Sequence, residues 1–225
     1  MRLSPYTAVL GAIQEGKKMD VVANNLANAA SPGYRKVAPR FSQFMEMETH
    51  VKTDPGPVRR TDNPWDIAIR GEGYLRVRTD QGERYTRAGN LTVNDQGQLV
   101  TQDGWPVLGQ GGVIELTGTD FRVDPTGQVY DGAEVVDVLD VVVFPEGTQL
   151  QQDRANLLNP ATPGAVPVPA ANYEIEQGAL EGANFSVVEE MTSLIETMRT
   201  FETCQKIIKT SYEEDKQIIT QLGKA

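Results

Sequence analysis

Few side chains in this sequence are spaced to do chemistry. His50 is the only histidine and Cys204 the only cysteine in 225 residues. One histidine rules out a His-x-x-x-His zinc motif, and one cysteine rules out an intrachain disulfide or a thiolate cluster. A Ser–His–Asp triad through His50 would lack the usual Gly-x-Ser-x-Gly elbow, and an exposed loop position is expected for it. Gly71-Glu72-Gly73 begins like a dinucleotide loop, but strand-type residues follow and the third glycine is missing; a turn or bulge between strands is expected. The Asp-x-x-Gly stretches lack the alternating oxygen ligands of a calcium loop and read as hairpin turns. Carboxylates are numerous enough to supply a glycosidase pair, yet no spacing selects one. No catalytic, cofactor-binding or metal-binding residue is assigned, and no cofactor is expected.

Charge narrows the partners. The net charge is −10, with 21 basic and 31 acidic side chains. Residues 1–40 carry +4, residues 181–225 carry −3, and the middle carries the remaining −11. An acidic chain has no electrostatic reason to seek nucleic acid. The two ends are weakly complementary, which favours their pairing by a small amount. No run approaches the ~18 apolar residues of a membrane span. The first residues lack the apolar stretch of a Sec signal, so export, where it occurs, is expected by another route.

What the sequence positions is therefore a set of surfaces. Ser4 reads as an N-cap and Pro5 as a first-turn residue of a helix running to Ala30, stopped by Ser31-Pro32-Gly33. Val9, Ala12, Gly16, Met19, Ala23, Leu26 and Ala30 step by three and four, a heptad seam of mostly small residues that admits a close neighbour. Residues 34–64 read as an irregular connector, packed around Phe41, Phe44, Met45 and Met47, with turns at Asp54-Pro55-Gly56-Pro57 and Asp62-Asn63-Pro64. Short strands and Asp/Gly turns follow, at Asp80-Gln81-Gly82, Asp95-Gln96-Gly97, Gln102-Asp103-Gly104 and Asp124–Gly127. Leu91–Leu99 parallels Phe121–Val129, which predicts two similar hairpins. Val135–Phe144 reads as one buried strand. Residues 145–184, rich in Pro, Ala, Gly and Asn, read as an extended or loop-like return path.

The last element is the longest. From Ser186 to about Leu222 there is neither Pro nor Gly, and Ser186 with Glu189 forms a capping box. Its predicted seam is Val187, Met191, Leu194, Met198, Phe201, Gln205, Ile208, Tyr212, Asp215, Ile219 and Leu222. A helix of roughly 55 Å is too long for a small core to cover, so the seam needs a partner helix. The fold class expected is α+β: two long terminal helices pairing as a coiled-coil-like domain (1–33 and 181–225), a connector (34–64), and a mainly antiparallel β domain (65–180).

Three stretches carry a family resemblance. They are Asp20–Asn28 with Ala29–Tyr34, containing Asn24-Asn25-Leu26-Ala27-Asn28; Asp66–Leu75 with Tyr85–Leu91 and Gly97–Thr101; and Gly178–Asn184 with Glu190-Met191-Thr192 and Arg199–Glu202. In this order they resemble the flagellar basal-body rod and hook axial proteins. Among those, the short interval 34–65 and the lack of room for large outer domains are most similar to a proximal rod member; Asn184-Phe185-Ser186-Val187 departs from the common Ser-Asn-Val. The resemblance implies a structural rod subunit that polymerises through its terminal helices, transmits torque and encloses the export channel. It implies other proximal and distal rod subunits, further copies of the chain and the type III export apparatus as partners, with no nucleic acid and no membrane insertion. It places the protein in the rod across the periplasm. The interface residues it implies are Val9, Met19, Ala23, Asn24, Asn25, Leu26 and Asn28 at one end. At the other they are Val187, Met191, Leu194, Met198, Phe201, Ile208, Tyr212, Ile219 and Leu222. The rival expectations are a distal rod or other axial member, a secreted carboxylate-dependent hydrolase, and a binding module whose long helix docks one partner.

Overall fold

The computed structural model of the protein describes residues 3–41, 47–118, 120–145, 147–153, 156–161 and 164–222; the side chains of residues 3–5, 41, 47, 218, 221 and 222 fall outside the described set. Phe44, Met45 and the side chains of Phe41, Met47 and Leu222 therefore lie outside it. The chain is α+β, with a helix toward each end and short, mostly antiparallel strands between them. It divides into two compact units: Met1–Ala27, Ala38–Thr49 and Ser186–Ala225 in one, Asn28–Val37 and His50–Phe185 in the other.

In the helical unit, α1 (Leu3–Ala27) is already running at Leu3. Ser4 thus lies inside the helix instead of capping it, and Pro5 stands in the first turn, where an N–H has no intrahelical acceptor to lose. The helix ends before Ala30, because residues 28–30 form a turn closed by the Ser31 N–H donating to the Asn28 carbonyl at 3.0 Å. The second helix, α2 (Val187–Leu222), has 36 residues and is roughly 54 Å long. The Glu189 N–H donates to Ser186 Oγ at 3.4 Å, and Glu189 and Glu190 sit in the first turn, where the helix dipole favours negative charge. The helices lie antiparallel: Asn25 Nδ2 donates to Glu190 Oε2 at 3.3 Å, Gly16 faces Phe201, and Gly11 faces Cys204. A Cβ at Gly11 would stand 3.4 Å from Cys204 Sγ, and one at Gly16 would stand 4.0 Å from the Phe201 ring. The glycines of α1 thus admit the larger side chains of α2.

The β unit folds around two apolar clusters. Ile67, Leu75, Val77, Leu99, Val107 and Val129 belong to the larger one, capped by Trp65 stacked on Phe121 at 4.8 Å. Val51, Tyr74, Tyr85, Val142, Leu150 and Leu158 form the smaller. The main sheet has the order Leu150–Gln152, Leu158–Pro160, Gly82–Thr86, Tyr74–Thr79, Val141–Val143, Val168–Pro169. Gly71-Glu72-Gly73 is the expected turn, joining the strand Ile67–Gly71 to Tyr74–Thr79.

The internal repeat is reproduced bond for bond. In one copy Asn94 Oδ1 accepts the N–H groups of Gln96 and Gln98, both at 2.9 Å. In the other Asp124 Oδ1 accepts those of Thr126 and Gln128 at 2.9 and 3.0 Å. Gly97 (φ 77°) and Gly127 (φ 87°) each return an N–H to the first carbonyl of their turn. Their own carbonyls accept Leu116 N–H at 2.7 Å and Leu139 N–H at 2.8 Å. The left-handed φ explains the glycine in both copies.

Further expectations are corrected. Val135–Phe144 is two strands. Glu134–Val138 is the exposed edge of a three-stranded sheet, and only Val141–Val143 is buried in the main sheet. Residues 145–184 are extended in part and irregular in part: Tyr173–Gln177 pairs along its whole length with Ile67–Gly71, and Ala179–Glu181 pairs with Val58–Arg60. The connector 34–64 holds the strands Val37–Phe41, Met47–Val51 and Val58–Arg60, and no turn is formed at Asp54–Pro57, where one was expected. His50 lies half-buried on a strand, not in an exposed loop. For Val141–Val143, Tyr173–Gln177 and Ala179–Glu181 the pairing partner is distant in sequence, beyond the reach of local pattern.

We predict that Asp124→Ala lowers the stability of the protein to urea by about 1 kcal/mol, the scale of the turn hydrogen bonds lost at a half-exposed site. The Thr126 hydroxyl, with the backbone N–H groups, holds the Asp124 carboxyl below the usual carboxylate range. Its contribution is therefore complete above the ordinary carboxylate pKa and lost as pH falls through the depressed one, so the difference between native and variant must shrink in acid.

Candidate assembly interface

The helical unit shows which faces are covered. On α1 the most buried side chains are Ala8, Val22 and Asn25. That line runs one residue ahead of the Val9–Met19–Ala23–Leu26 spacing. Val9, Ala23 and Asn24 are exposed, while Met19, Leu26 and Asn28 are half-buried. On α2 the covered line runs through Glu190, Leu194, Thr197, Phe201, Cys204 and Ile208. It shares Leu194, Phe201 and Ile208 with the predicted seam and parts from it elsewhere. Val187 is exposed, and so are Met191, Ile195 and Met198 at 48, 51 and 45 %, and Tyr212 and Ile219 both at 71 %. So α2 carries a second, uncovered apolar line about 100° from the covered one, since Met191, Ile195 and Met198 each follow a covered residue by a single position. An uncovered apolar line of this kind marks a surface for association.

The β unit contains a polar cluster that sequence reasoning missed. Glu181 is 1 % exposed. Its carboxylate accepts Arg35 Nη1 at 2.8 Å, Arg87 Nη1 at 3.2 Å and the Gly56 N–H at 2.7 Å. Arg87 also donates to the carbonyls of Ile69 and Gly71 at 2.9 and 2.7 Å, and lies 5.5 Å from the centre of the Tyr74 ring. Burial pushes the Arg87 guanidinium down, against the pull of Glu181; burial likewise raises the Tyr74 phenol, against Arg35 and Arg87. The backbone is tied at the same place. Gly33 N–H donates to the Glu181 carbonyl at 2.7 Å, and a side chain at Gly33 would overlap the Arg87 carbonyl. Asn184 finishes the join: its Oδ1 accepts the Lys36 N–H at 2.6 Å, and its Nδ2 donates to the carbonyls of Lys52 and Asp54 at 3.1 and 2.8 Å. Glu181, Asn184, Gly33 and Arg87 all sit in the three resemblance stretches, which was the only signal that could have found them. A cavity of about 520 Å³ opens beside Tyr74, Arg87 and Phe144, lined also by Asp54 and Glu72; Arg87, its only cation among the described residues, is engaged in holding the fold.

The described residues thus show exposed apolar side chains on the helices and a buried polar cluster engaged in structure. Comparison with known proteins gives the family. Residues 6–35 match the flagella basal body rod protein model, 68–131 the flagellar hook protein FlgE/F/G D1 domain, and 176–222 the flagellar basal body rod FlgEFG protein C-terminal model. The FlgF rod protein of Caulobacter vibrioides is 33 % identical, covering 92 % of this chain and 93 % of the relative. FlgF of Salmonella typhimurium is 33 % identical with 96 % of each covered, and FlgG of Bacillus subtilis is 29 % identical with 95 and 96 % covered. The chain belongs to the flagellar basal-body rod family, whose members are structural.

Replacing Glu181 by Leu leaves two buried guanidinium groups without their carboxylate. We predict a loss of about 3–5 kcal/mol, the cost of breaking a buried ion pair from one side. Urea unfolding followed by tryptophan fluorescence checks it, because Trp65 and Trp105 pack against the larger core.

Proposed function

We infer that this chain is a proximal rod subunit that polymerises through its terminal helices. The observation that carries this is the uncovered line Met191–Ile195–Met198 on α2, beside a line already taken by α1. In the proposed assembly that line, with Val9, Ala23 and Leu26 of α1, packs in coiled-coil fashion on neighbouring subunits. Such head-to-tail contacts do not close on themselves and so extend into a helical rod. Other rod and hook-type subunits are the partners, the basal body is the location, and the export apparatus delivers the chain across the inner membrane to the rod in the periplasm. Torque then passes through many packed interfaces, and no catalytic step is involved. The proximal assignment draws support from the FlgF relatives and from the short interval 34–65. The FlgG relative supports the second reading, a distal rod subunit.

The exposed position Met198 separates assembly from folding. Met198→Asp is expected to change the stability of the purified protein by no more than about 0.5 kcal/mol, as for an exposed site. In cells carrying it as the only copy, basal bodies should lack a completed rod and swimming should be lost. Leu194→Asp, on the covered line, should block assembly and also loosen the helix pair. Complete rods and normal swimming with Met198→Asp would sink the assembly reading, and the position of the subunit's density in native basal bodies decides between proximal and distal.

A further inference from the structure

The apolar side chains along the helix pair do not by themselves fix how far α2 slides along α1. Leu194, Phe201 and Ile208 are spaced by one heptad on the covered face. A slip of one heptad therefore exchanges apolar for apolar on α2 and moves Phe201 from Gly16 to Val9 or Ala23, which are apolar as well. The buried polar pair does not exchange. In the observed register Asn25 donates to Glu190, and both are 1 % exposed. Slipped one way, Glu190 comes against Lys18 and Asn25 is carried beyond the start of α2 at Val187. Slipped the other way, Asn25 comes against Thr197 and Glu190 is carried past the end of α1 at Ala27.

We propose that Asn25 and Glu190 form the register lock of the terminal helices, selecting one axial alignment from several that the apolar residues tolerate. A polar group buried in a helix seam is the best-attested device for fixing register, and here either slip parts the two partners and leaves one of them with no residue of the other helix opposite it. The lock rests on the packing of α1 against α2 alone and goes beyond flagellar assembly. Its consequence for a rod subunit is that α1 and α2 always present their uncovered lines in one alignment.

The native Cys204 supplies the test. It faces Gly11, with 3.4 Å between its Sγ and the position of an added Cβ. In the full chain, Gly11→Cys reports the observed register by forming a disulfide with Cys204 on mild oxidation. Lys18→Cys and Ser4→Cys report the two registers displaced by one heptad. With Asn25 and Glu190 intact, the disulfide from position 11 should predominate. In the Asn25→Leu, Glu190→Leu background, which keeps the seam filled, it should fall relative to the other two by about five-fold or more, as expected when a polar register determinant is removed. The exchanged pair, Asn25→Glu with Glu190→Asn, should restore the preference. Undiminished preference for the position 11 disulfide in the leucine background overturns the proposal. Loss of all three bonds there also overturns it, since the pair would then be needed for pairing and not for register. An exchanged pair that fails to restore the preference does the same.

Discussion

The buried carboxylate of Glu181 is the constraint on which the β unit depends. Taking a carboxylate out of water costs several kcal/mol, and only close, well-directed partners offset that. Here two guanidinium groups and the Gly56 N–H supply them. The trio carries a surplus positive charge, and the fold answers it with the carbonyls of Ile69 and Gly71 and the face of Tyr74. Each partner comes from a different part of the chain, so the cluster forms only where those parts meet. Two of its segments, Gly33–Lys36 and Glu181–Asn184, are the stretches from which the chain runs on toward α1 and α2. A single charge cluster thereby sets where both connections leave the β unit.

A protein that polymerises must be sticky on chosen faces and inert on others. The main sheet ends on Val168–Pro169, and a proline at an edge offers no N–H for a stray strand. The other exposed edge, Glu134–Val138, carries Val135 and Val136 toward solvent but places Glu134 and Asp137 beside them. Asp137 is turned to the Gly111 N–H at 3.1 Å. Carboxylates along a short edge disfavour pairing with a second acidic copy. Association through these two edges is thus hindered.

Much of this was legible in the sequence because its physics is local. Helix period, the Ser186 cap and the two Asx-type turns with their glycines all express interactions within a few residues. Their limits were less so: α1 begins before Ser4 and ends before Ala30 because end hydrogen bonds, not composition, decide. Val135–Phe144 looked like one strand because its valines are alike on both sides of Leu139. The break follows from the Leu139 N–H bonding to Gly127, a contact that no local pattern encodes. The Pro-rich stretch hid Tyr173–Gln177, whose partner Ile67–Gly71 lies about a hundred residues earlier. Glu181 was invisible for another reason. A charged side chain reads as solvent-facing until its two arginines, one distant in sequence from the other, are brought to it.

The seam on α2 was the opposite case, seen but misaligned. Its heptad was drawn through Met191, Met198 and Tyr212, and the structure covers Glu190, Thr197 and Cys204 instead. Periodicity reports that a helix has an apolar face; it does not report the direction from which a partner approaches. Here the face is wide enough for two approaches, and hydropathy favoured the line with the larger apolar side chains. The pairing within the chain chose the line in which Glu190, Thr197 and Cys204 alternate with Leu194, Phe201 and Ile208, because α1 brings Gly11, Gly16 and Asn25 to it. Length points the same way. An α1 of 25 residues cannot cover an α2 of 36, so apolar surface is left over both around the helix and along it. Of the predicted seam the chain covers Leu194, Phe201 and Ile208 and leaves Met191, Met198 and Tyr212 exposed, so the helix pair alone does not fill the whole apolar face.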